Sequence, residues 1–390
     1  MITYDIMRQY QLHNKQPTDY LFVGPINDEV LNALILAPSH EHKEKYLHQA
    51  LDQVFSDTDW TQSFTQPMII IWDEVIFNEM ILALHSWLRT KAANIENIHV
   101  LMTHHLGVST WWKNYCEVMQ IRSFDIIESW FCWRLMHRFL LNNTGVMAPI
   151  SWDEITEQKL QHIDKLFSFY CGEYSRRERD YLLISLLRYN TIAMMDSEAT
   201  LMDFDSVLAY TENISYFMNQ SAVDEIREFY PQHVKNNKLV KNPAFANIQG
   251  TYLKDECFNF KGMQWEIDKQ CFATVIRETH MDECYISITE KTLRAFLHGQ
   301  IPIPVGYCAV ELLEQEGFRF PTELIDYSYQ YEPNYHYRVQ KIKQQLDKLA
   351  GMTASEWKQC FLDSQEILKH NYDTVVNLEH KIAMTIYDVR

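Results

Sequence analysis

The sequence predicts an α/β protein made of two units in tandem with a helical tail. Three observations carry that prediction. Short apolar runs recur at residues 20–24, 67–72, 98–103, 121–127, 166–171, 191–195, 272–276 and 301–305, the length of buried strands. Helical-looking segments separate many of them, which is the alternation of a parallel sheet. With only 10 glycines in 390 residues, the chain is poorly supplied for the tight turns of an all-β fold.

In the first unit, Tyr20–Gly24 reads as a first strand and Pro67–Trp72 as a buried one ending at Asp73 and Glu74. Ile98–Thr103 is another, ending at His104 and His105. A helix is expected over 108–120, a further strand within 121–127, and an aromatic helix around 130–141. The stretch 142–149 is polar, then proline-bearing, and divides the chain into 1–150 and 151–390. In the second unit, 166–171 is a strand and 172–179 a polar turn. A leucine-rich helix over 180–188 and a strand at 191–195 follow. Residues 200–265 carry no decisive pattern. The strand 272–276 ends at Arg277 and Glu278. Beyond Asn334, the spacing of Val339, Ile342, Leu346 and Leu349 predicts a helical tail. In such open sheets, ligands lie at the C-terminal ends of the strands.

Composition narrows the function classes. Hydrophobic residues at 47% and aromatics at 13% supply a large core. Lys+Arg 35 against Asp+Glu 52 gives −17, which opposes non-specific attachment to nucleic acid or anionic lipid. The 8 cysteines form no Cys-x-x-Cys, so zinc ribbons and redox pairs are unsupported. No apolar run approaches the ~18 residues of a membrane span. The first residues lack the apolar stretch of a secretory signal, so the expected location is cytoplasmic.

Residues 285–306 carry the most chemistry. They read as a helix with Glu290 and Lys291 in its first turn, a glycine stop at Gly299, and a strand at 301–305. Ser287 or Thr289 is the expected cap, and Ser287-x-x-Glu290 fits a capping box. Helix N-termini present free N–H groups and partial positive charge, and Lys291 adds a full one, which makes a seat for phosphate. Glu290 would repel phosphate and instead suits the hydroxyls of a ribose. A nucleotide sugar presents both groups together.

Thr289-Glu290-Lys291, a helix of about nine residues, then Gly299-Gln-Ile-Pro-Ile-Pro-Val-Gly306 resembles the donor-binding signature of the α-1,3-fucosyltransferases and their bacterial and viral relatives. The chain departs from it by placing Ile286 and Ser287 between Tyr285 and Ile288. The resemblance is strongest over 271–330 and faint elsewhere. It implies a GT-B-like architecture, two Rossmann-like domains facing a cleft with C-terminal helices. The first domain would serve the acceptor, the second the nucleotide sugar, GDP- or UDP-linked. It also implies transfer to a hydroxyl acceptor with inversion at the anomeric carbon.

Further donor contacts follow from the same reading. Arg176, Arg177 and Arg179 lie between a strand and a helix, where guanidinium groups reach phosphate bidentately. The segment resembles the strand–Asn-Arg-Arg-x-Arg–helix of viral and bacterial relatives, with Ser175 in place of Asn and Tyr181-Leu182 in place of His-Arg. Arg277 suits the diphosphate, and Glu278 the sugar or base. The resemblance implies a carboxylate base in the first domain, which no motif marks. Asp73, Glu74, His104 and His105 end strands there and are the candidates. Glu74 is preferred, and Glu128 ranks below them. Metal-dependent enzymes of the other nucleotide-sugar fold use Asp-x-Asp at a strand end. The runs here, Asp57-Thr-Asp59 and Asp203-Phe-Asp205, end no clear strand, so no metal is expected. The acceptor expected is a glycan. A modified DNA base is the alternative, disfavoured by charge, and a non-catalytic nucleotide-binding or assembly protein is another.

Overall fold

The computed structural model describes residues 21–26, 68–72, 78–91, 94–128 without 103–104, 150–171, 191–195, 203–239 without 216–219 and 236–237, 263–278, and 285–377 without 289, with shorter pieces between 48 and 60 and between 182 and 189. It is a mixed α/β chain with parallel sheets. It divides into two compact units, residues 1–145 with 284–289, and residues 146–283 with 290–390. Among the described residues, no helix is long and apolar enough to cross a membrane.

The first unit holds a four-stranded parallel sheet in the order β1 (Leu21–Ile26), β2 (Met68–Trp72), β3 (Ile98–Met102), β4 (Asp125–Glu128). Helix α1 (Asn78–Lys91) links β2 to β3, and α2 (Val108–Met119) links β3 to β4. The isoleucine run of β2 pairs in register with β3, from Met68 opposite Ile98 to Trp72 opposite Met102. Its core joins Ile81, Leu84, Trp87 and Leu88 of α1 to Val100, Trp112 and Phe124. Trp112 stacks on Phe124 at 5.1 Å and donates from Nε1 to the Phe124 carbonyl at 3.1 Å. That bond satisfies the indole N–H inside the core.

The second unit begins with α3 (Trp152–His162), capped by Ser151. Its parallel sheet runs β8 (Ile301–Pro304), β7 (Cys271–Ile276), β5 (Lys165–Cys171), β6 (Thr191–Met195). Pro302 and Pro304 lack the N–H that a second neighbour would need, so β8 belongs at the edge. β7 is buried along its whole length, as a central strand of a covered sheet must be. Residues 200–265, which carry no decisive pattern, contain α4 (Phe204–Ser215) and α5 (Gln220–His233), and α6 (Met263–Asp268) starts at their end. Helix α7 (Glu290–Leu297) lies between β7 and β8 in sequence and packs beside α11 (Gln365–Val376). The tail also holds α8 (Ala309–Gln315), α9 (Tyr335–Ala350) and α10 (Ala354–Asp363). Val339, Ile342, Leu346 and Leu349 of α9 are all buried, as their spacing predicts.

The turn out of α7 fits its sequence signal. Gly299 adopts φ +57°, Gly299 N–H donates to Phe296 O at 3.2 Å, and Gln300 N–H to Ala295 O at 3.0 Å. These are the two bonds of a Schellman motif, which turns the chain straight into β8.

Candidate functional site

The sequence-predicted residues that the structure gathers lie at the C-terminal end of β7. Arg277 and Glu278 continue the strand and are 4% and 1% exposed. Glu278 Oε1 accepts from the Thr292 N–H at 3.2 Å and from Thr292 Oγ1 at 2.7 Å. Its Oε2 lies 3.5 Å from Lys291 Nζ, a long ion pair with Lys291 only 12% exposed. Glu278 therefore caps α7 from outside the helix. It satisfies one of the N–H groups a helix start leaves open and puts negative charge at the positive end of the dipole. Arg277 Nη1 donates to the Glu278 carbonyl at 2.6 Å and stiffens the same turn.

The start of α7 lies later than the Ser287 cap expects. α7 starts at Glu290, and Ser287 belongs to a two-residue strand, Ile286–Ser287, antiparallel to His105–Leu106. Ser287 stands opposite His105, so its backbone serves a ladder and not the helix start. Glu290 opens α7, and its side chain lies outside what is described. Asp73, Glu74, His104, Arg176, Arg177, Arg179 and Thr289 lie outside the described residues, as does the side chain of His105. Asp203, of the second Asp-x-Asp run, takes the Ser206 N–H at 2.8 Å and hydroxyl at 2.7 Å at the start of α4. Among the described residues, no group of three or more His, Cys, Asp or Glu side chains could hold a metal ion.

The first unit has a carboxylate in a comparable position. Glu128 ends β4, and its Oε1 accepts from the Ser109 N–H at 2.7 Å. The Gly107 and Val108 amides also bear on it, so it caps α2 as Glu278 caps α7. Burial raises its pKa above the usual glutamate range, against the opposing pull of those amides.

Behind α7 lies a buried charge network that sequence reasoning missed. Asp268, fully buried at the end of α6, accepts from Ser168 Oγ at 3.0 Å and Gln300 Nε2 at 3.2 Å on Oδ1. Its Oδ2 lies 2.6 Å from His298 Nδ1 and 3.3 Å from Arg294 Nε. Lys159 Nζ donates to the carbonyls of Asp268 at 3.0 Å and Cys271 at 2.8 Å. Burial lowers the Lys159 pKa to about 8 and holds His298 below the usual histidine value, in both cases against the pull of Asp268. One signal was available. Lys159 stands four residues after Ile155 and seven after Trp152, on the buried stripe of α3, where a surface lysine has no place.

No model of a known family, no curated protein and no solved structure matches this chain.

Proposed function

We propose that the chain is a cytoplasmic glycosyltransferase, moving a sugar from a nucleoside-diphosphate sugar to a hydroxyl acceptor with inversion and without a metal ion. The observation that carries the reading is the Lys291 ammonium in the first turn of α7, held by a carboxylate from the end of the central strand β7. It stands in the segment that resembles the fucosyltransferase donor signature, and at the sheet end where open α/β folds bind ligands. In this reading Lys291 and the first-turn amides other than that of Thr292 take the diphosphate, and Glu290 takes the ribose hydroxyls. Arg176, Arg177 and Arg179 add to the phosphate charge. Glu278, whose oxygens serve Thr292 and Lys291, aims the seat and does not touch the sugar.

Transfer breaks the bond between the anomeric carbon and the diphosphate oxygen and forms one to the acceptor oxygen, whose proton passes to a base. Cationic groups at the diphosphate stabilise the charge that develops there. A base works best with its pKa near the operating pH. Glu74, with Asp73, His104 and His105, is the proposed source, and Glu128, which ends β4 in the same unit, ranks below them. The acceptor that suits a −17 chain is a glycan in preference to duplex DNA.

A thermal-shift screen against GDP, UDP, CDP and their sugars tests the reading. A ligand that binds only the folded state raises the melting temperature, and Lys291→Ala is expected to abolish the rise. No shift with any of these compounds would sink the proposal. Binding without donor hydrolysis or transfer would make the chain a nucleotide-binding protein. Salt-sensitive binding to duplex DNA would move the acceptor to a DNA base.

A further inference from the structure

We infer that Asp268 is a positioning residue for the diphosphate seat: through Arg294 and His298 it fixes the rotation of α7, and with it the aim of Lys291 and the first-turn amides. The inference rests on the nucleotide-sugar reading above.

Lys291, Arg294 and His298 stand at i, i+3 and i+7 of α7 and the residue that follows it, so they form one stripe. Asp268 Oδ2 meets two of the three. Asp268 is itself immobilised from three directions, by Ser168 of β5, by Gln300 at the entry to β8, and by Lys159 of α3 on its carbonyl. The anchor is tied to the sheet before α7 is tied to it. At the front of the helix, Glu278 holds Thr292 and Lys291. Glu278 and Asp268 flank the two ends of the same strand, β7. The helix is therefore pinned fore and aft to one rigid element.

Stability alone gives a weak reason for this arrangement. Buried ions cost desolvation that apolar side chains of similar volume avoid, and the best-attested use of such groups is to impose one register. The opposite side of α7 is apolar, with Leu293, Phe296 and Leu297 buried. An apolar surface alone would tolerate small rotations. Each residue of slippage turns a helix by about 100° and would carry Lys291 off the strand end. The Arg294 ion pair at 3.3 Å and the His298 contact at 2.6 Å, both on Asp268 Oδ2, oppose that slip.

Titration calorimetry on the full chain tests this with GDP, UDP, guanosine and uridine, well below the melting point of each variant. The quantity read is the gain in affinity from adding the diphosphate to the nucleoside. His298→Leu is expected to lose at least tenfold of that gain while nucleoside affinity stays within about twofold. His298→Asn, which restores an N–H toward Asp268 Oδ2, is expected to recover it. If His298→Leu does not fold, Arg294→Lys, which keeps the charge and loses the fork, carries the same comparison. A lower melting temperature with the diphosphate gain intact overturns the inference and leaves the nucleotide reading standing. Equal losses for nucleoside and diphosphate, or failure of His298→Asn to rescue, overturn it as well. No nucleotide binding by the wild type overturns the reading, and the inference with it.

Discussion

Helices α2 and α7 are held by the same device at the front and by opposite devices behind. Each follows a parallel strand, and each has its N-terminus capped by a glutamate at a strand end, Glu128 for α2 and Glu278 for α7. Behind α2 lies a ring surface in which Trp112 stacks between Tyr115 at 5.7 Å and Phe124 at 5.1 Å. Behind α7 lies the Asp268 network of ions. Glu278 shares its site with an ammonium, whereas the partners of Glu128 are neutral amides and the Ser109 hydroxyl. An aromatic underside gains mainly from buried area and ring packing, with one hydrogen bond from Trp112 to give it direction. An ionic one supplies direction at a desolvation cost. The helix proposed to aim a charge at a ligand is the one with the directional support.

The largest expected effect comes from removing the hub of that support. Asp268→Asn keeps the volume, leaves Arg294 and Lys159 buried without the carboxylate, and turns one acceptor oxygen into a donor. Breaking a buried charge pair in this way costs about 3–5 kcal/mol. The matching change behind α2, Trp112→Phe, keeps most of the ring contact and leaves the Phe124 carbonyl without its indole donor. That costs about 1–3 kcal/mol. Urea denaturation of both variants orders them, and the reverse order would break the contrast between the two undersides.

The helix ends give a smaller effect with opposite signs. α7 ends on Gly299 at φ +57°, and α2 ends on Gln120 at φ 53°. A left-handed residue costs a side chain about 1–2 kcal/mol. At Gly299 an added Cβ would also come within 3.1 Å of Ile155 Cγ2 and Trp152 Cζ3, so the ring and the methyl must shift. Gly299→Ala is therefore expected to destabilise by about 2 kcal/mol. Gln120 is exposed, and Gln120→Gly relieves the strain at an added cost in unfolded-chain entropy, for a net gain of under about 1 kcal/mol. Thermal melts of the two variants read the signs directly. A loss at Gln120→Gly would show that its side chain does more for α2 than its backbone strain takes away.

These differences explain what the sequence could convey. Strands were legible because β2, β3, β5, β6, β7 and β8 are short apolar runs, and burial in a parallel sheet demands little else of them. The Gly299 stop was legible because the left-handed turn has a residue-specific signature. The underside of α7 was not. Arg294 and His298 lie off the Leu293–Phe296–Leu297 stripe, and periodicity assigns such residues to solvent. Only the position of Asp268, brought from 26 residues upstream of Arg294, turns them into a buried network. The helix caps were hidden for the same reason. Ser287-x-x-Glu290 fits a capping box locally, but α7 starts at Glu290, and the Thr292 amide of its first turn is taken by Glu278, which arrives from the preceding strand. α5 escaped although Val223, Ile226 and Tyr230 fall at i, i+3 and i+7 on its buried side, because Pro231 inside it argues against a helix.

The smallest expected effect separates the two caps by pH. Burial raises the pKa of Glu128, so between the ordinary value of 4.5 and that raised value the folded chain holds a proton that the unfolded chain has lost. By linkage, the contribution of Glu128 to stability is full below 4.5, falls as pH rises through that window, and is flat above it. Glu128→Gln keeps a carbonyl acceptor for the Ser109 amide and cannot ionise. At pH 7 it is expected to lie within about 1 kcal/mol of the wild type, since it exchanges one acceptor for another. The difference between the two proteins should tilt toward the wild type as pH falls toward 4.5. Urea midpoints measured in steps from neutral pH down to 4 read that tilt. A difference that stays constant with pH would mean that folding leaves the Glu128 pKa unmoved, and a tilt away from the wild type as pH falls would mean that the amides of α2 outweigh burial.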